Sequence, residues 1–240
     1  MKKILITSTE LMMIQFLVPH VNNLAANGFA VEIACSDVGG RMAEVREALG
    51  ETVQAIHTLR LERSPVSPRN LLGYGDMRRL LKENRYDIIW TNEPVMGVVT
   101  RLAANKYRRS GTRVVYMCHG FHFYKGAPLL NWLLYYPTEK WLARYTDALI
   151  TINREDYALA KRKMKLRNGG KVYYVPGVGI DNHKFSKATI DMSAKRRELG
   201  IPEDAVLLLS VGELNNNKNH ETVIRAIADM DVYYMIAGQG

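Results

Sequence analysis

The sequence predicts an α/β fold in which helices cover a doubly wound parallel sheet. Short apolar runs rich in β-branched residues recur along the chain, and segments with helical spacing lie between most of them. Parallel strands need a crossover connection, which is normally a right-handed helix, so this alternation indicates a parallel sheet. The alternation breaks once and then restarts, which predicts a second domain.

The first part of the chain contains the longer series of predicted elements. Strands are expected at Lys3–Thr7, Ala30–Cys35, Val53–Thr58, Asp87–Thr91, Arg113–Cys118, Ala148–Ile152 and Lys171–Val175. Helices are expected at Gln15–Asn27, Arg69–Asn84, Met96–Tyr107, Leu129–Arg144 and Arg154–Met164. The strand runs are largely apolar, as is typical of strands buried on both faces.

The break falls at VPGVGID, residues 175–181, where a proline and two glycines indicate a hinge. Beyond it the sequence predicts a helix, a strand, a helix and a strand, at 193–199, 205–211, 219–229 and 232–237. A sheet of two strands buries too little surface to be stable alone. We therefore expect a first domain at residues 1–180, and at 181–240 the hinge and the start of a second domain whose remainder belongs to a longer protein.

Composition limits the class of partner and the compartment. The net charge of +9 favours an anionic partner such as a nucleotide, a lipid phosphate or nucleic acid. However, the basic residues cluster at 101–113 and 161–171, at the polar ends of predicted helices, which is typical of solvated surface. No apolar run is long enough to cross a bilayer, and the first residues lack a secretory signal, so we expect a cytoplasmic protein.

Ligands of open parallel sheets bind beyond the carboxyl ends of the strands, so the loops at those ends are candidate sites. In CHGFHFYKG, residues 118–126, His119 comes first after a strand and is placed to act as a hydrogen-bond donor or a base. The alternative is a structural histidine, with the aromatic residues packed under the next helix. In TSTELMM and TNEPVMG, the candidates Ser8, Thr9 and Glu93 precede helices, where ordinary helix capping is the alternative.

The loop VGELNNNKNHE, residues 211–221, is the candidate in the second part. Gly212 permits close approach of the backbone, Asn215 to Asn217 suit a turn, and Lys218 leads into a predicted helix. Backbone donors, the helix dipole and an ammonium group together favour a phosphate or diphosphate. The alternative is an exposed asparagine-rich turn. No GxGxxG motif follows the first strand, no Walker loop is present, and His119 and His122 lack a third ligand, so we expect no metal and no cofactor.

These motifs resemble those of the retaining glycosyltransferases of family 4, which have the two-Rossmann-domain architecture called GT-B. The resemblance covers essentially the whole chain and rests on the HG pair at 119–120, VPGVGID, and LLSVGELNNNKNHETVIRAI at 208–227. In particular, the chain is similar to the branch that builds bacterial capsule and exopolysaccharide repeat units.

The resemblance implies a role for each loop. The first domain would bind a lipid-linked saccharide acceptor through Ser8, Thr9, Glu93, Gly120, Phe121, His122, Tyr124 and Lys125. His119 would be catalytic and would face the reacting sugar. The second domain would bind a nucleotide sugar, expected to be a UDP-sugar, through Gly212, Glu213, Asn217, Lys218 and Asn219. Lys218 would take the charge of the departing diphosphate, so that no metal is needed.

The chain departs from the family pattern in two respects. Glu213 stands where many relatives have an arginine, which leaves Lys218 as the matched cation. The two glutamates that bind the donor lie farther along in relatives, so we expect this chain to be an incomplete enzyme with little or no turnover.

The segment Leu129–Tyr145, LLNWLLYYPTEKWLARY, predicts an amphipathic helix flanked by cations. It would rest on an anionic membrane leaflet, or it would face the core, which is the interpretation favoured by the interrupting Pro137. Two further alternatives to the transferase remain: a nucleotide-sugar epimerase of the same fold, and a non-catalytic basic module that binds nucleic acid or partners. The transferase interpretation expects no nucleic acid.

Overall fold

The computed structural model describes residues 1–38, 42–167, 169–179, 182 and 190–238. It divides into two compact units, Met1–Gly179 and Ile180–Gly240, which are described separately. The last two residues of the predicted hinge, Ile180 and Asp181, lie outside the described residues.

The first unit is built on a seven-stranded parallel sheet with the strand order β3-β2-β1-β4-β5-β6-β7. Its strands are β1 (Lys3–Glu10), β2 (Ala30–Ser36), β3 (Ala55–Thr58), β4 (Ile88–Asn92), β5 (Arg113–Cys118), β6 (Ala148–Thr151) and β7 (Lys171–Tyr174). Its helices are α1 (Leu11–Ile14), α2 (Val18–Ala26), α3 (Met42–Leu49), α4 (Arg69–Glu83), α5 (Pro94–Ala104), α6 (Leu129–Leu142) and α7 (Arg154–Lys163).

Helices pack on both faces of this sheet, which confirms the predicted doubly wound class. On one face, Ile4, Ile6 and Ile33 pack with apolar side chains of α1, α2 and α3. On the other face, Leu5 and Ile89 pack with side chains of α4 and α5. The buried side chains of β5 and β6 form a further cluster with those of α7 and of the loop after β5.

Two helical segments differ from the sequence prediction. The sequence analysis does not include helix α3, MAEVREAL, because the segment is short and its buried apolar residues Val45 and Leu49, one turn apart, repeat the helical spacing once. The first helical segment begins at Leu11, and a short 3₁₀ turn at Gln15–Leu17 separates α1 from α2. Pro19 lies in the first turn of α2, where its missing N–H leaves no helical hydrogen bond unmade.

The second unit contains α8 (Met192–Glu198), β8 (Leu207–Val211), α9 (His220–Ala226) and β9 (Tyr233–Ala237). β8 and β9 pair in parallel, with Leu207 opposite Tyr233 and Val211 opposite Ala237. Helix α9 has seven residues and ends before the predicted limit of Asp229.

The order of the strands determines where a ligand can bind. From β1 the chain moves outward to β2 and β3, and it then returns to β4 on the other side of β1. β1 and β4 are therefore neighbours whose following segments, α1 and α5, lie on opposite faces of the sheet. A crevice opens at the carboxyl ends of strands at such a switch point, and ligands bind there in open α/β sheets.

Candidate functional site

Ser8, Thr9 and Glu93 meet at the carboxyl ends of β1 and β4. The Glu93 carboxylate oxygen Oε2 accepts a hydrogen bond of 2.6 Å from Ser8 Oγ and one of 2.7 Å from the Thr9 backbone N–H. Thr9 Oγ1 in turn accepts from the Met96 N–H at 3.3 Å, in the first turn of α5. Thr9 therefore does cap a helix, but the helix that follows β4 rather than the one that follows its own strand.

The backbone of Glu93 is strained. Its φ of 64° and ψ of 157° lie in a region that is almost restricted to glycine and costs about 1–3 kcal/mol. Burial raises the pKa of its carboxyl above the ordinary value, although the hydrogen bonds from Ser8 and Thr9 act in the opposite direction. A strained, partly buried carboxylate at a strand end is a feature that often marks a functional site.

His119 follows β5, the neighbour of β4, and contacts the same edge. Its Nε2 lies 3.1 Å from Asn92 Oδ1, and Asn92 Nδ2 donates to the Thr7 carbonyl at 3.1 Å. Since the amide oxygen can only accept, Nε2 carries the proton of the neutral ring and Nδ1 is left as an acceptor. Burial lowers the pKa of His119, so the imidazole is neutral at pH 7.

Buried residues hold the rest of the loop after β5 in place. Gly120 has a φ of 119°, which a side chain would strain. The Phe121 N–H donates to Asp156 Oδ2 at 2.9 Å, and the Phe121 and Phe123 rings are buried and stacked with centroids 4.6 Å apart. The alternative predicted for the aromatic residues, packing beneath the next helix, therefore applies to these two phenylalanines.

Helices α6 and α7 hold the outer part of this loop. Asn131 donates to the His122 carbonyl at 3.0 Å, and the Trp132 indole N–H donates to the Tyr124 carbonyl at 3.2 Å. The Lys125 N–H donates to Glu155 Oε1 at 2.8 Å. The side chains of His122, Tyr124 and Lys125 are exposed, beside an edge formed by Glu93 and His119.

The loop after β8 in the second unit is organised by its own asparagines. The Asn215 side chain accepts from the Lys218 N–H at 3.1 Å and donates to Glu213 Oε2 at 2.7 Å. Asn219 has a φ of 51° and a ψ of 44°, the left-handed conformation that asparagine tolerates, and α9 begins after it. The Lys218 side chain lies along Gly212, where an added Cβ would sit 3.4 Å from its carbons.

Glu213 and Lys218 do not form an ion pair. The Glu213 carboxylate is turned back onto Asn215, and within the described parts of the chain no carboxylate lies within ion-pair distance of the Lys218 ammonium. Asn217, Lys218 and Asn219 are exposed. The loop thus presents one cation without a neutralising partner.

Further residues support the first edge, and two of them, Asp156 and Arg63, were missed by sequence reasoning. Asn92 orients His119, Asp156 holds the loop backbone, and Arg63 forms an ion pair with the buried Glu10 at the end of β1. Asn92 and Glu10 lie in the candidate loops TNEPVMG and TSTELMM, where their position at strand ends indicates them, although no role was predicted for either. Arg63 comes from the segment after β3, and nothing in its local sequence indicates that it reaches β1.

Two further kinds of feature, a cluster of metal ligands and a membrane-spanning helix, are absent from the described residues. No group of three or more His, Cys, Asp or Glu side chains in those ranges could hold a metal ion. No helix in the same ranges is both long enough and apolar enough to cross a membrane.

Sequence comparison with known proteins identifies the family of this chain. The family model described as Glycosyltransferase Family 4 matches residues 18–178. EpsD of Bacillus subtilis (strain 168) is 46% identical over 169 residues, which are 70% of this chain and 44% of EpsD. The Escherichia coli UDP-Gal:alpha-D-GlcNAc-diphosphoundecaprenol alpha-1,3-galactosyltransferase is 27% identical over 192 residues, 80% of this chain and 47% of that enzyme. The chain therefore spans less than half the length of these two relatives.

A solved structure shows the same fold. The UDP-GlcNAc 2-epimerase from Neisseria meningitidis, bound to UDP-GlcNAc, matches with a TM-score of 0.65 at 12% identity, over 98% of this chain and 65% of that one. A likeness at this level of identity shows the fold alone and does not separate a transferase from an epimerase. Because the family model matches more than half of the residues, the chain belongs to glycosyltransferase family 4, a retaining family with the GT-B fold.

Proposed function

We propose that the complete protein transfers a sugar from a UDP-sugar to a lipid-linked saccharide in bacterial surface polysaccharide synthesis. The chain would supply the acceptor-binding unit and the loop that holds the diphosphate of the donor. The observation that carries this proposal is the convergence of Ser8, Thr9, Glu93 and His119 at the switch point of the sheet. The diphosphoundecaprenol acceptor in the name of the Escherichia coli relative supports the lipid-linked class.

On the acceptor side, Glu93 is the residue proposed to bind a sugar hydroxyl. Its Oε2 accepts hydrogen bonds from Ser8 Oγ and the Thr9 N–H, and its Oε1 would accept one from a hydroxyl of the acceptor. Ser8 and Thr9 act by fixing the carboxylate, since both are buried. Gly120, His122, Tyr124 and Lys125 would line the saccharide, while Phe121 anchors their loop in the core.

His119 is proposed to face the reacting sugar as a neutral group. Asn92 holds Nε2, so the second ring nitrogen, Nδ1, is the one that can accept a hydrogen bond from a hydroxyl. A fixed neutral imidazole positions the sugar without placing a second charge beside Glu93. Its contribution is largest if the contact strengthens as the glycosidic bond breaks.

On the donor side, Lys218 is proposed to bind the diphosphate. Charge develops on the departing nucleotide diphosphate as the bond to the sugar breaks, and an ammonium held for that charge stabilises the transition state. Gly212, Asn217 and Asn219 would contribute close backbone and amide donors. Glu213 would remain bonded to Asn215, which keeps its charge away from the phosphates.

The proposal is tested in the complete protein by transfer of radiolabel from a UDP-sugar to lipid-extractable product. We expect Glu93→Gln and His119→Ala to lower transfer at least tenfold with unchanged binding of UDP. We expect Lys218→Ala to weaken UDP binding at least tenfold, about 1.4 kcal/mol. The exposed Lys195, whose ammonium pairs with Glu198, supplies the matched control Lys195→Ala, which should change neither quantity.

Three outcomes would contradict the proposal. Wild-type UDP affinity in Lys218→Ala would remove the donor assignment. A free epimerised sugar in place of a lipid product would identify an epimerase. Steeply salt-dependent nucleic-acid binding without transfer would identify a basic binding module.

A further inference from the structure

Helix α6 faces the core with its aromatic side and exposes the four leucines of its first half. Trp132, Tyr135 and Tyr136 pack against the core, and Glu139 is buried. Glu139 receives two hydrogen bonds, of 2.8 and 3.0 Å, from the buried guanidinium of Arg101 on α5. The interpretation of this segment as a core-facing helix therefore holds for one side only: that side carries aromatic rings, the buried Leu142 and an ion pair, and the helix continues through Pro137.

The outward side of α6 is a continuous apolar face. Four leucines on it are between 56% and 74% exposed: Leu129, Leu130, Leu133 and Leu134. With about 100° of rotation per residue, these leucines, Lys140 and Trp141 fall within one arc of roughly 140°. A contiguous exposed apolar face of four leucines marks an interaction surface.

The end of this face is basic. Lys140, Arg144, Lys165 and Arg167 line an open groove of about 760 Å³ together with Leu166. Arg167 has one distant carboxylate partner, Asp147, at 3.8 Å, and that aspartate is already bonded to Arg108. In the ranges that the structure describes, no ion pair neutralises Lys140, Arg144 or Lys165. The groove is therefore a candidate site for anionic groups.

We propose that α6 and this groove form the surface by which the protein docks on an anionic phospholipid membrane. The leucines would enter the boundary between headgroups and acyl chains, and the four cations would bind lipid phosphates. Trp141 and Tyr145, whose rings pack edge to face with centroids 5.3 Å apart, lie between the two parts, where amphipathic rings suit the interface. The positive charge favours an anionic membrane as the partner of this surface, because the cations that border the leucine face complement lipid phosphates.

The position of this surface also fits a lipid-linked acceptor. α6 begins two residues after the loop 119–126 and runs away from it, so a bilayer along α6 would lie beside the proposed acceptor edge. This argument for access rests on the proposed function. Docking itself is measured without donor or acceptor, so the two proposals can fail separately.

The test is flotation of the 240-residue chain with vesicles of phosphatidylglycerol and phosphatidylcholine in equal parts, against vesicles of phosphatidylcholine alone. We expect at least tenfold tighter binding to the anionic vesicles, weakened by salt because the phosphate contacts are exposed. The variant Leu130→Gln/Leu133→Gln/Leu134→Gln should weaken this binding at least tenfold. The variant Lys140→Gln/Arg144→Gln/Lys165→Gln should abolish the preference for anionic vesicles.

Helix α4 provides matched controls. Leu71 and Leu72 are also exposed, so Leu71→Gln/Leu72→Gln should leave binding unchanged. Arg78→Gln/Arg79→Gln/Lys82→Gln removes the same charge from exposed positions and should retain the preference. Because all the substituted side chains are exposed, each variant should unfold at the wild-type temperature.

The proposal fails if the α6 variants bind like the wild type, if the α4 controls lose as much, or if neutral and anionic vesicles bind equally. It also fails if the wild type does not bind vesicles but forms a concentration-dependent dimer that the leucine variant does not form. That result would assign the face to a second copy of the chain. If the complete protein docks with no effect of the α6 variants, another part of that protein covers the face, and the proposal is wrong.

Discussion

The two candidate edges of this protein are held in different ways. In the first unit, Thr9 is bonded to Glu93 across neighbouring strands, and the loop after β5 is fixed by the buried Asp156. In the second unit, Lys218 is held by contacts within its own loop, chiefly from Asn215, and its side chain is exposed. The edge in the first unit is thus a product of tertiary packing, whereas the loop after β8 is a product of local sequence. Substitutions of the same type should therefore lower the free energy of unfolding more in the first unit than in the second.

The largest expected effect comes from the support beneath the first edge. Asp156→Ala removes a buried carboxylate that accepts from the Phe121 N–H and from Asn153 Nδ2 at 2.7 Å. It leaves a buried N–H without a partner, so we expect a loss of about 2–3 kcal/mol in the free energy of unfolding. Urea unfolding of the 240-residue chain measures it.

The neighbouring residue is the control for that prediction. Glu155 also accepts a loop N–H, from Lys125, but it does so in an exposed position. Glu155→Ala should therefore cost less than about 1 kcal/mol. Equal losses in the two variants would show that burial does not hold this edge and would remove the contrast between the two regions.

A smaller effect should appear at Glu93, with a sign that depends on pH. Burial raises its pKa in the folded state, so the folded protein binds the proton more tightly than the unfolded chain does. The stability gained from this proton is fully present below the pKa of the unfolded chain and is lost as pH rises through the folded pKa. Glu93→Gln is uncharged at every pH and can still accept from Ser8 and Thr9.

We therefore expect Glu93→Gln to gain thermal stability relative to the wild type as pH increases from 4 to 8. Transfer activity of the complete protein should fall in the same variant, because a carboxylate retained against a stability cost is typical of a functional site. Thermal unfolding at several pH values measures the first effect. A constant difference in melting temperature between pH 4 and 8 would show that Glu93 does not titrate in this range.

The strands and the loops that follow them could be predicted because both leave a local signal. Apolar runs indicate the seven strands of the first unit, and the ends of β1, β4 and β5 lead directly to Ser8, Glu93 and His119. Neither the strained backbone of Glu93 nor the reach of Arg63 to Glu10 has such a signal, since both depend on strands far apart in sequence.

The orientation of α6 shows the same limit more clearly. Its periodicity identifies an apolar stripe but does not say which side of the helix meets the sheet. The side that faces the core carries Glu139, which is tolerated there because Arg101, 38 positions away, pairs with it. A buried ion pair of this kind needs both partners. The sequence around Glu139 contains no sign of the second.

The smallest expected effect concerns the two residues with positive φ other than glycine in the described chain, Glu93 and Asn219. Asn219 occupies the left-handed well that asparagine tolerates, so Asn219→Gly relieves little strain, and it also removes a side chain that accepts from Thr222 Oγ1 at 2.9 Å. We expect the free energy of unfolding to change by less than about 0.5 kcal/mol.

The same substitution at Glu93 relieves backbone strain but breaks the hydrogen bonds from Ser8 and Thr9, and these two changes act on stability in opposite directions. Chemical denaturation of both variants, with Asn219→Ala as the matched control that keeps a Cβ, separates conformational cost from lost contacts. A loss above about 1 kcal/mol in Asn219→Gly would mean that the second loop depends on packing as the first does.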